Sequence, residues 1–110
     1  MDVIVNADDF GMNHNVNLAI DYCFKNNIIS STTIMANMPG FNEAVNLACI
    51  GKYDKYVGIH FNLVEGVPLS SSIKYCNRIC KNGKFIYKHN SIFFWNKREK
   101  KQLERNLLLK

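Results

Sequence analysis

The order of apolar and polar positions divides the chain into short and long segments in alternation. Val3, Ile4 and Val5 form a short apolar run, which reads as a strand buried on both faces. Val16, Ala19, Ile20 and Cys23 recur at helical spacing, predicting a helix from about Asn13 to Lys25 with Asn13 as its cap. Ser31 to Ala36 is short and rich in β-branched residues, so it reads as a second strand. Asn37-Met38-Pro39-Gly40 breaks it. Phe41, Ala44, Val45 and Ala48 give a second helical stripe that ends near Gly51. From Val57 to Leu63 the alternation is clean. Val57, Ile59, Phe61 and Leu63 point one way, and Gly58, His60 and Asn62 the other. The first set is predicted to pack under a helix layer and the second to face a barrel or crevice.

This β-α-β-α-β rhythm places the chain in the α/β class, with parallel strands and right-handed crossovers. The carboxyl ends of the first and third strands then open on one side, where sheets and barrels of this class build their sites. After Glu65 the pattern changes. Gly66 to Ser72 is loop-like, Asn82-Gly83 is a turn signal, and Phe85-Ile86-Tyr87 reads as a short strand. Ile92-Phe93-Phe94-Trp95 is a dense apolar group, and Lys97 to Lys110 reads as a helix with Leu103 and Leu107 on one face.

Composition narrows the picture. A chain of 110 residues makes one domain, here residues 1–110, with the motifs in 1–66 and a basic loop, turn and helix in 67–110. No apolar run approaches the roughly 20 residues that span a membrane. The start has no basic-then-apolar signal pattern, so a cytoplasmic location is the expectation. Cys23, Cys49, Cys76 and Cys80 do not form zinc-finger pairs. All four read as reduced, with Cys23 and Cys49 as buried apolar fillers. The net charge of +5 conceals an asymmetry. Residues 1–66 hold three lysines against seven carboxylates, net −4, and residues 67–110 hold eleven basic residues against two carboxylates, net +9.

Asp8 and Asp9 follow the first strand, and Gly11 offers a turn. Two adjacent carboxylates repel unless a cation arrives. A divalent metal would use one as a ligand and leave the other as a proton acceptor. His60, on the polar face of a parallel strand, is placed to join them. Asp9-Phe10-Gly11 also spells the kinase metal-binding triplet. That reading fails on context, because the kinase glycine-rich loop, lysine strand and catalytic loop lie upstream of it and only eight residues do here.

Val5-Asn6-Ala7-Asp8-Asp9-Phe10-Gly11, Ser31-Thr32-Thr33 with Asn37-Met38, and Gly58-Ile59-His60-Phe61-Asn62-Leu63 with Gly66-Val67-Pro68-Leu69 together resemble the YdjC-like carbohydrate deacetylases. The resemblance is close over residues 1–70 and looser beyond. It implies the N-terminal part of a distorted TIM-like β/α barrel. It also implies a divalent-metal hydrolase that removes acetyl groups from N-acetylated sugars or oligosaccharides. Its metal would be Mg2+ first, then Zn2+. Carried onto this chain, Asp9 and His60 are metal ligands and Asp8 is the catalytic base. The family's third ligand lies in a later histidine-rich motif, and neither His14 nor His89 matches it. The chain therefore reads as an incomplete barrel, and a homodimer is one source of a further ligand. Two other readings stand beside this one. The basic C-terminal part, with Tyr75, Phe85, Tyr87 and Trp95 interleaved, would be a nucleic-acid surface, although no nucleic-acid motif accompanies it. A non-catalytic remnant would expose sheet edges and aggregate.

Overall fold

The computed structural model, which describes residues 2–86 and 96–108, builds Met1–His60 around three parallel strands. They are β1 (Asn6–Phe10), β2 (Ser31–Ile34) and β3 (Val57–Ile59), in the order β1-β2-β3. α1 (His14–Lys25) joins β1 to β2, and α2 (Phe41–Gly51) with a 3-10 turn at Asp54–Tyr56 joins β2 to β3. The mixed α/β class and the parallel pairing follow the hydrophobic rhythm. Asn13 caps α1 as the sequence predicts, its side chain accepting from Val16 N at 3.0 Å.

The core of this unit is Phe10, Ile20, Ala44, Ala48 and Tyr53, with Ala7, Val16, Phe24, Ile34 and Val57 packed against it. Tyr53 stacks on Phe24 at 4.1 Å between ring centroids. Its hydroxyl donates to buried Asp21 at 3.0 Å, and Lys25 pairs with the same carboxylate. Burial first, then Asp21, pushes the Tyr53 hydroxyl well above its ordinary pKa.

Several expectations are corrected. Val3, Ile4 and Val5 precede β1 and are 71%, 78% and 47% exposed. Val5 leads into the ladder through Ser30, but the helices cover Ala7 and Phe10 instead. The buried face of α1 is rotated by about one residue from the apolar stripe. It contains Asn17, Ile20 and Asp21, while Ala19 is exposed and Cys23 half-buried. Hydrogen bonds to Asn17 and Asp21 make that polar burial tolerable. Cys49 is exposed, as is Val45 at the margin of α2. β3 stops at Ile59; Val57 packs against the helix-covered core, whereas Ile59 is exposed, as is Phe61.

Phe61–Lys110 forms a second unit. It contains α3 (Ser71–Lys74), the antiparallel pair β4 (Cys80–Lys81) and β5 (Lys84–Phe85), and α4 (Lys97–Leu108). Asn82 and Gly83 take φ of 53° and 73°, which makes the two-residue hairpin their sequence predicts. Ile73, Cys76, Ile79, Cys80 and Phe85 form its core, with Leu63 against them. Burial, then Cys76, pushes the Cys80 thiol up to about 11. All four cysteines are unbridged. Asn62 is buried and closes a turn, its Oδ1 accepting from Val64 N and Glu65 N at 3.1 Å each. No described helix is long and apolar enough to cross a membrane. Tyr87, His89, the Ile92–Trp95 group and the Leu109-Lys110 end lie outside the described residues, as does the facing of Leu103 and Leu107.

Candidate functional site

The register between β1 and β2 creates the site. Asn6 pairs with Ser31 and Ala7 with Thr32, but the next pair is Phe10 with Ile34. Three steps on β1 match two on β2, so β1 carries one extra residue, a bulge. Asp9 supplies the unusual backbone, with φ at +68°. That left-handed conformation costs an L-residue about 1–2 kcal/mol, and aspartate is among the side chains that tolerate it.

The bulge decides which side chains face where. Strict alternation would send Asp8 and Asp9 to opposite faces. Here Ala7 and Phe10 both reach the helix-covered core, and both carboxylates are left to the open side. In register, that side carries Asn6 and Asp8 from β1, Ser31 and Thr33 from β2, and Gly58 from β3 with His60 just beyond it. His60 N donates to Ile34 O at 3.0 Å, which extends the ladder one step past β3.

Asp8 is held by its neighbours. Its Oδ1 accepts from Asn6 Nδ2 at 2.8 Å and from Thr33 Oγ1 at 2.9 Å, and Ser31 Oγ donates to Asn6 Oδ1 at 2.7 Å. Asp9 meets His60. The ring Nδ1 lies 3.3 Å from Asp9 N and 3.5 Å from Asp9 Oδ1. With Nδ1 bare, the ring accepts from the amide; with Nδ1 protonated, it faces the carboxylate. The side chains are 44% exposed for Asp9 and 27% for His60. A pair this open adds only about 0–1 kcal/mol to stability, but a ligand from solvent can reach it.

Of the three predicted site residues, Asp9 and His60 therefore come together, and Asp8 stands beside them turned toward Thr33 and Asn6. Among the described residues, no group of three or more His, Cys, Asp or Glu side chains converges to hold a metal ion. A carboxylate and an imidazole are the donor set that borderline divalent ions take, so the pair fits as part of a metal centre.

Sequence reasoning missed three features. The bulge leaves no mark in composition. His14 is 66% exposed and pairs with Glu43 at 2.6 Å. Asn17 is fully buried and also bonds Glu43, at 2.8 Å. These bonds, Asn17 first and then His14, hold the Glu43 carboxyl below its ordinary range. The signal for Asn17 was its place at helical spacing with Ile20, Asp21 and Phe24.

The sequence model of the YdjC-like protein family matches residues 2–108. A carbohydrate deacetylase from Thermoanaerobacter pseudethanolicus is 45% identical over 83 residues, which are 76% of this chain and 33% of that relative. One from Clostridium beijerinckii is 49% identical over 75 residues, 67% of this chain and 30% of the relative. A chitooligosaccharide deacetylase from Proteus mirabilis is 43% identical over 68 residues, 62% of this chain and 26% of the relative. The chain thus spans about a third of the length of the curated relatives it matches. A solved Enterococcus faecalis V583 structure, described as a cellobiose-phosphate cleavage protein, superposes with a TM-score of 0.70 at 27% identity. The match covers 96% of this chain and 41% of that one.

Proposed function

The chain belongs to the YdjC-like family, and from that premise we propose that it carries part of the site of a metal-dependent hydrolase that removes acetyl groups from N-acetylated carbohydrates. The observation that carries the reading is the bulge that turns Asp8 and Asp9 to one face with His60 Nδ1 3.5 Å from Asp9 Oδ1. The names of the relatives, carbohydrate and chitooligosaccharide deacetylases, supply the substrate class. The whole barrel, the acetylated oligosaccharide and the metal all belong to this proposal.

Asp9 and His60 would hold the ion. A bound divalent metal supplies Lewis-acid polarisation of the acetamide carbonyl. The resemblance puts magnesium first, whereas an imidazole donor suits zinc-like ions better than magnesium, which prefers oxygen. Asp8 acts as the base. Its Oδ1 is pinned by Asn6 and Thr33, so the carboxylate keeps one orientation toward the open face. From there it takes the proton of the water that attacks the acetamide carbon, and the leaving amine takes up a proton as the carbon–nitrogen bond breaks. The polar floor of Asn6, Ser31, Thr33 and Gly58 gives a sugar hydroxyl-bonding partners without bulk.

The test is acetate release from an N-acetylated chitin disaccharide by this chain with zinc or magnesium added. Where a second copy of the chain completes the site, release is metal-dependent and disappears in His60→Ala. Asp8→Asn keeps metal binding and loses turnover. Turnover retained in Asp8→Asn moves the base elsewhere, and metal affinity unchanged in His60→Ala overturns the ligand assignment. No release from the folded, metal-loaded chain limits it to a partial site without activity of its own.

A further inference from the structure

One heavily bonded polar side chain of the first unit stands apart from the proposed site residues. Asn17 is fully buried in α1, and its amide makes three hydrogen bonds. Oδ1 accepts from Gly11 N at 2.7 Å. Nδ2 donates to Gly40 O at 2.9 Å and to Glu43 Oε2 at 2.8 Å. These partners fix the orientation of the amide. Flipped, it would set N–H against the Gly11 N–H and an oxygen against Gly40 O.

The backbones that Asn17 joins are pressed together. A Cβ on Gly40 would stand 2.8 Å from both Asn17 Nδ2 and Gly11 O. Gly11 has φ at +91°, and a Cβ there would be 3.2 Å from Met35 O. The loop after β1 and the loop after β2 therefore meet backbone to backbone, with Asn17 as the clip between them.

Gly11 lies two residues beyond Asp9. Met12 N donates to Asp9 O at 3.0 Å and closes the turn between them, and Met35 N donates to Phe10 O at 2.7 Å on the other side. With Gly11 N held by Asn17, both ends of the Asp9-Phe10-Gly11 step are tied. The geometry points to Asn17 as the positioning residue of the site: by holding Gly11 N it keeps Asp9 in its left-handed conformation and so keeps the Asp9 carboxylate beside His60. Asn17 contacts neither Asp9's carboxylate nor the His60 ring in any bond described above, so its action passes through the backbone. Glu43 supports it by accepting from the same amide, and His14 supports Glu43 in turn.

The test is nuclear magnetic resonance on the isotope-labelled 110-residue chain. A left-handed residue brings its own amide and α protons close, so Asp9 gives a strong intraresidue cross-peak that an extended residue lacks. Asn17→Leu keeps the size and removes all three bonds. Asn17→Asp keeps the acceptor for Gly11 and gives up the bond to Gly40 O; it is made together with Glu43→Gln, which removes the facing charge and supplies an amide that can donate to the new carboxylate. The Leu variant is expected to lose the Asp9 cross-peak and to exchange the Gly11 amide faster, while the Asp/Gln variant retains both. A folded Leu variant with the Asp9 cross-peak intact overturns the inference. So does a folded Asp/Gln variant that has lost it, which decides the matter if the Leu variant does not fold.

A second arm titrates Co2+ into each variant and rests on the metal-site reading above. The Leu variant is expected to lose roughly tenfold or more in affinity, the usual scale for removing a residue that orients a ligand. If the unmodified chain takes up no cobalt, the metal-site reading fails, and the cross-peak comparison still judges Asn17.

Discussion

The strained backbone at Asp9 makes a prediction whose sign is unusual. Consider Asp9→Gly and Asp9→Ala. Both remove the carboxylate and the contact with His60, so that loss cancels when the two are compared. What remains is backbone. At an ordinary strand position, glycine is less stable than alanine by about 0.5–1 kcal/mol because it loses more freedom on folding. At φ +68° alanine carries the left-handed penalty of about 1–2 kcal/mol, and glycine does not. The difference puts Asp9→Gly ahead of Asp9→Ala by about 0.7 kcal/mol. Urea unfolding followed by circular dichroism reads this directly. With a slope of about 1–3 kcal/mol per molar, the midpoint of Asp9→Gly lies about 0.2–0.7 M above that of Asp9→Ala. Alanine above glycine would mean that Asp9 is extended. The bulge, and with it the placing of both carboxylates on one face, would then be wrong.

Other predictions follow the same logic. Gly40→Ala destabilises by about 1–3 kcal/mol despite an ordinary φ of −84°, because the new methyl meets Gly11 O at 2.8 Å; the urea midpoint checks it. Tyr53→Phe removes the hydroxyl that donates to buried Asp21 and costs about 1.5–3 kcal/mol, the range for a hydrogen bond to a charged group. Glu43 has a lowered folded pKa, so its contribution is present above its ordinary value of 4.5 and is lost as pH falls through the lower folded value. Melting temperature should therefore drop on acidification below pH 4.5 less steeply in Glu43→Gln than in the unmodified chain. Tyr53 has a raised pKa, so its contribution is present below its ordinary value of 10.0 and is lost as pH rises above it; Tyr53→Phe should flatten the alkaline limb.

The elements were legible where local pattern decides them. Asn13 announced the start of α1, and Asn82-Gly83 announced a hairpin, because capping and turn chemistry act within a few residues. The parallel order followed from the spacing of strands and helices. What was illegible depended on partners distant in sequence. The apolar run Val3–Val5 outscored Asn6–Phe10 as a strand, yet pairing with Ser31–Ile34 selected the polar segment. The bulge is a mismatch between two strands, so neither sequence alone contains it. The buried face of α1 was misjudged because Asn17 and Asp21 look like surface residues until Gly11, Gly40 and Tyr53 provide their bonds. The family resemblance named Asp8, Asp9 and His60, while the placing of Asp9 beside His60 came from the register.

The most direct measurement is an amide and imidazole chemical-shift map of the chain during titration with Zn2+. The account predicts that the first and largest changes fall on Asp9 and His60, with Asp8 and Thr33 next, and that His60→Ala abolishes them. Changes centred on His14 and Glu43 instead, or a zinc response that survives His60→Ala, would contradict it.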